Sequence, residues 1–215
     1  GGNKIGVMWS SQPSSAIYFA VHSDGQADSS WQQSRTAIAG PNYADDHINL
    51  KSLQSDNAGR VYAAVKTSIN DSSTALPTDP LINMWVFKPA TGSWNVYTFG
   101  TVADRHTRPI LMLDETQRLV HMFATGPSPG DSNYDDTGTI YEKTTSMDNP
   151  GFSQGVGTPV IRDADSAHIN DVTGSRQSVT STTGLVVLAS NEATLRYWHA
   201  YESLGTGTPS PPPSV

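Results

Sequence analysis

The stretch Tyr43–Leu53, YADDHINLKSL, places a tyrosine, two carboxylates and a histidine directly before an apolar run. Histidine transfers protons near neutral pH, a carboxylate can orient it, and a tyrosine can protonate a leaving oxygen. Two later stretches carry related groups: Arg105, His106 and Arg108 in DRHTRPILMLDE, and His168, Asn170 and Asp171 in SAHINDVTG. Three chemistries fit these residue types. β-Elimination on a uronate polysaccharide needs a cation for the substrate carboxylate (Arg105 or Arg108), a base (His47 or His106) and an acid such as Tyr43. Glycoside hydrolysis needs two carboxyl groups flanking the bond. Asp45 or Asp46 would be one and Asp104 or Asp171 the other, because neighbours in an extended chain point apart. A metal on a central axis would use the histidines and carboxylates, but no tight motif such as H-E-x-x-H is present and no metal is assigned. The catalytic candidates are therefore His47, His106, Arg108 and Tyr43. Asp45, Asp46, Arg105, His168, Asn170 and the turn-borne Trp31 are candidates for substrate binding. A purely structural role stays open beside these, since Asp and Asn often bond backbone groups where a strand begins.

The elements that must position these residues read as strands. KIGVMWSS, AIYFAVHS, GRVYAAVKTS, INMWVFKP, WNVYTFG, RPILMLDE, RLVHMFATG, GTIYEKTTS, TPVIRD, GLVVLASN and LRYWHAYE are short β-branched and aromatic runs separated by turn residues. No segment keeps a 3.6-residue period. Three stretches share one order: a histidine, a strand, a polar turn, then a stronger apolar strand. Their histidines are His47, His106 and His168, spaced by 59 and 62 residues. An aromatic strand follows each, and in two units a further edge-like strand. Four antiparallel strands repeated at this period predict an all-β fold of β-propeller blades, with a β-sandwich as the alternative. Residues 1–204 would hold about three and a half to four blades, where a closed ring takes roughly four to eight. The remaining blades, from further sequence or another chain, are an expected partner. In such a ring the candidate residues would gather where each innermost strand begins, at the mouth of the central channel.

Composition narrows the function classes. The net charge of −7 argues against nucleic acid as the main partner. Cysteine is absent from the 215 residues, which removes disulfides, thiolate metal sites and a cysteine nucleophile. No apolar run approaches the roughly 18 residues that span a membrane. The segment 205–215, GTGTPSPPPSV, reads as a Pro/Ser/Thr linker. The opening GGNKIGVMWSS reads as the middle of a strand pair, as in a fragment or processed chain. Low charge and a linker tail suggest a secreted, modular, bacterial protein. The acidic loop Ser128–Gly138 offers Asp131, Asp135 and Asp136 to calcium, with a solvated loop as the plainer reading; no other cofactor is expected.

At these motifs the chain resembles the BNR-repeat propellers, the group around sialidases and several polysaccharide lyases. DDHINLKSLQSDNAGRVYAAVKTS is similar to the DDH-N…DG-(K/R)-(I/L/V)-(H/Y) pattern of members that include ulvan-lyase-like enzymes, and HTRPILMLDETQRLVHMFATG to their RP…I-H-F unit. The Asp box S-x-D-x-G-x-x-W is degenerate, since Asp24, Gln26 and Asp28 stand at its diagnostic offsets before Trp31. A sialidase also needs an arginine cluster; Arg35, Arg105, Arg108 and Arg162 are available, but nothing in their spacing assigns them to one. The resemblance implies an extracellular propeller that acts on or recognises a polysaccharide, through a lyase- or hydrolase-like site. A non-catalytic glycan-binding or adhesion propeller is the alternative.

Overall fold

The computed structural model describes residues 3–32, 35–52, 59–130, 138–164 and 168–205. Asp131, Asp135 and Asp136 of the acidic loop lie outside the described residues, as does most of the linker tail. The described chain is all-β. Its strands are β1 (Lys4–Ser11), β2 (Ala16–Ser23), β3 (Arg35–Ala39), β4 (Ile48–Ser52), β5 (Val61–Lys66), β6 (Pro80–Lys88) and β7 (Ser93–Thr101), followed by β8 (Thr107–Asp114), β9 (Leu119–Pro127), β10 (Gly138–Ser146), β11 (Thr158–Arg162), β12 (Ile169–Gly174), β13 (Leu185–Asn191) and β14 (Arg196–Glu202). They form four antiparallel meanders in chain order: β1-β2-β3, β4-β5-β6-β7, β8-β9-β10-β11 and β12-β13-β14. Helical structure among the described residues is limited to single 3₁₀ turns, and no helix there is long and apolar enough to cross a membrane.

The sheets stack by their faces. Alternate side chains of one strand point to opposite faces, and β5 uses both: Tyr62 and Ala64 enter one core, Ala63 and Val65 another. The first and second sheets meet around Ile17, Trp85 and Trp94, where Phe19 and Phe87 also converge on the Trp94 ring. The second and third sheets enclose Tyr62, Met84, Phe99, Leu111 and Met122. The third and fourth enclose Phe123, Ile140, Ile169, Leu185 and Val187. The opening strands adjoin one another, β4 against β8 and β8 against β12.

Among the described residues, the outer faces of the first and last sheets have no such cover. Ile5, Val7 and Trp9 alternate along β1 and are exposed, with Trp9 stacked on Tyr18 at 5.5 Å. On the last sheet Val186, Leu188, Tyr197 and Tyr201 are exposed. Trp85 and Trp94 thus pack between sheets, whereas Trp9 lies on an outer face.

One close fit ties the second sheet to the third. His106 is 1% exposed. Its ring lies against Phe99 and Tyr141, and it occupies the space that side chains at Gly100 and Gly126 would need. A Cβ at Gly100 would collide with His106 Nδ1, so overpacking of about 1–3 kcal/mol is expected. Gly100→Ala should therefore lower Tm by several degrees in calorimetry. Gly151→Ala, whose Cβ would meet nothing within 4 Å, should leave it unchanged. Equal effects of the two substitutions would refute this packing.

Candidate functional site

The segment leading into β4 is fixed before its acidic residues are reached. Asn42 adopts φ 61°, in the left-handed region that asparagine tolerates. The Tyr43 amide donates to the Gly40 carbonyl at 3.1 Å, and the Tyr43 ring lies against Gly40. Ser68 Oγ, just beyond β5, donates to the carbonyls of Ala44 at 2.9 Å and Asn42 at 3.3 Å.

This anchored segment delivers Asp45, Asp46 and His47 to one point. Asp45 Oδ1 accepts from the His47 amide at 3.1 Å and from His47 Nδ1 at 2.5 Å. Asp45 Oδ2 accepts from Lys66 Nζ at 2.7 Å. Asp46 Oδ1 lies 2.8 Å from the same His47 nitrogen. The expectation that adjacent carboxylates point apart does not hold, because the chain bends at Asp46 and is not extended. Asp46 is exposed, Asp45 and Lys66 are buried, and the His47 side chain is 31% exposed. Burial alone would raise the Asp45 carboxyl. The hydrogen bonds from His47 and Lys66 outweigh it and hold the group ionised, well below the usual carboxylate range. The ring of His47 is thus oriented by carboxylates while part of it remains open to solvent, as a proton-transfer group requires.

Lys66 is the member that sequence reading missed. Its signal was a lysine closing an apolar strand, GRVYAAVKTS, where burial demands a counter-charge. Its own amide donates to the His47 carbonyl at 3.1 Å, so the strand pairing sets both side chains together.

A second polar pair joins the third and fourth sheets. Arg108 Nε and Asp171 Oδ1 are 2.9 Å apart, both partly exposed. Each residue sits in a register shift of its strand, β8 or β12, with φ 50° and 53°. Arg105 takes a left-handed φ of 56° after the 3₁₀ turn Val102–Asp104, whose Thr101 and Asp104 form a reciprocal cap.

The other candidates fall elsewhere. His106 is sealed between sheets, its Nε2 donating to the Val156 carbonyl at 3.0 Å, so it is no solvent-facing base. Asn170 is buried, with Nδ2 3.5 Å from Glu192 Oε1, whereas His168 is exposed. Trp31 lies between β2 and β3 with its ring against His22 and its Nε1 donating to the Asp28 carbonyl at 3.0 Å. His121 is buried in β9 and donates through Nδ1 to Glu142 at 2.7 Å. No known protein family's profile matches the chain, and no curated protein matches it.

Two stability tests follow from these charges. Burial lowers the His106 pKa from 6.5 to about 4. The unfolded chain binds the proton more readily, so between pH 6.5 and 4 the folded state loses stability as pH falls. The full loss is about 3 kcal/mol, and chemical denaturation at stepped pH should record it; a His106→Gln variant should flatten that limb. Removing the cation beside buried Asp45 is also costly. Lys66→Met should destabilise by about 3 kcal/mol, with much of this restored in the Asp45→Asn/Lys66→Met double variant. Urea melts in which the single variant matched the wild type would refute the coupling.

Proposed function

We propose that the chain is a set of β-propeller blades of the BNR type that engages an acidic polysaccharide, with His47 as its proton-transfer residue. The observation that carries this reading is the Asp45–His47 pair: a partly exposed imidazole whose Nδ1 is held at 2.5 Å by a buried carboxylate, itself fixed by Lys66. In the propeller reading β4, β8 and β12 are the innermost strands of successive blades. Their mutual packing and their shared place at the head of each meander support it. The apolar outer faces of the end sheets support the expectation that further blades or another chain cover them.

On a uronate chain, His47 would take the proton α to the carboxylate while the β-oxygen of the glycosidic bond leaves. Tyr43 would return a proton to that oxygen, and Arg108 would hold the carboxylate. His106 has no part in this scheme because it is buried. A second reading, glycan binding without cleavage, is favoured by one observation: Arg108 already pairs with Asp171 and Asp45 with Lys66, as in a static recognition surface.

The test is to follow unsaturated product on a panel of uronate polysaccharides by ultraviolet absorbance, and binding by calorimetry. Cleavage that falls about 10²-fold or more in His47→Ala establishes the lyase reading. Binding without product, weakened by Arg108→Ala, establishes the second. Neither binding nor product on any polymer would overturn both.

A further inference from the structure

We propose that His121, Glu142 and Glu202 bind a first-row divalent metal ion between the third and fourth sheets. The three come from β9, β10 and β14, and one potential ligand atom from each lies within 4.8 Å of the others. Two metal–ligand bonds of about 2.0–2.4 Å can bridge such spacings with small side-chain shifts. One imidazole and two carboxylates form a donor set suited to Zn²⁺ or Mn²⁺ rather than to an all-oxygen calcium cage.

Two further observations point to a ligand. His121 is buried, and its Nε2 has no hydrogen-bond partner among the described residues. Nδ1 lies 2.7 Å from Glu142 Oε1, so the imidazole and that carboxylate already stand side by side, and Nε2 is left over. The charge balance is also incomplete. At Asp45 and Asp46, Lys66 supplies a cation at 2.7 Å. At Glu142 and Glu202, no lysine or arginine is paired with either carboxylate among the described residues. A bound ion would fasten the last strand of the fourth sheet to the middle of the third.

The experiment titrates ZnCl₂ into the chelator-stripped protein and records Tm and binding heat. One equivalent should bind and raise Tm. Glu202→Gln, a change on an exposed strand, should weaken Zn²⁺ at least tenfold while leaving the metal-free Tm close to the wild type. Asp46→Asn, in the other acidic cluster, should bind as the wild type does. No rise in Tm with zinc, wild-type affinity in Glu202→Gln, or loss of binding in Asp46→Asn would each overturn the assignment.

Discussion

Strand β9 is buried without a break from Val120 to Gly126, because neighbouring sheets cover both of its faces. Strands covered on both sides have no solvent face on which to place a polar residue. Any charge they carry must find its partner within the protein. The neighbouring β10 shows how this is met. Glu142 and Lys143 are consecutive, so they point to opposite faces. Glu142 accepts from His121 on the side of the fourth sheet, while Lys143 Nζ donates to the Phe99 carbonyl of the second and lies 4.9 Å from the Phe99 ring centre. Lys143 thereby links the third sheet to the second, while the Glu142–His121 pair holds two strands of the third together.

The same constraint shapes the polar cluster before β4. Asp45 and Lys66 are buried where the first and second sheets meet, close to Ala44 and Val65 of that core. Their pairing offsets a desolvation cost that either alone would impose in full. Asp46 and His47 lie at the solvent edge of the same cluster. A rigid, neutralised base beneath a partly open imidazole is what distinguishes this position from the sealed His106 and the exposed His168.

The strands were largely legible in the sequence. GTIYEKTTS coincides with β10 and AIYFAVHS with β2, because β-branched and aromatic runs end at glycine, proline and hydroxyl residues. β3, Arg35–Ala39, gave no comparable signal: it is five residues long and mostly small side chains. The site was less legible. Asp45, Asp46 and His47 are adjacent in sequence and could be seen together. Lys66 lies 21 residues from Asp45 and joins it only through strand pairing. His121, Glu142 and Glu202 meet through three strands of two sheets, a juxtaposition that no local spacing encodes.

The three regularly spaced histidines show why repetition could not assign the chemistry. His106 stands one residue before Thr107, which pairs with Thr125; His168 stands two before Asn170, which pairs with Ser190. The His47 carbonyl itself accepts from Lys66. The bulges at Arg108 and Asp171 belong to β8 and β12, while β4 pairs with β5 without a shift. A slip of one residue turns a side chain to the other face. The backbone plan therefore recurs while the side-chain surroundings do not. His106 falls into the notch left by Gly100 and Gly126, where burial keeps it neutral, and His168 meets solvent. His47 is held by a buried, charge-compensated carboxylate with part of its ring exposed. The case for proton transfer rests on that difference between the copies and not on their likeness.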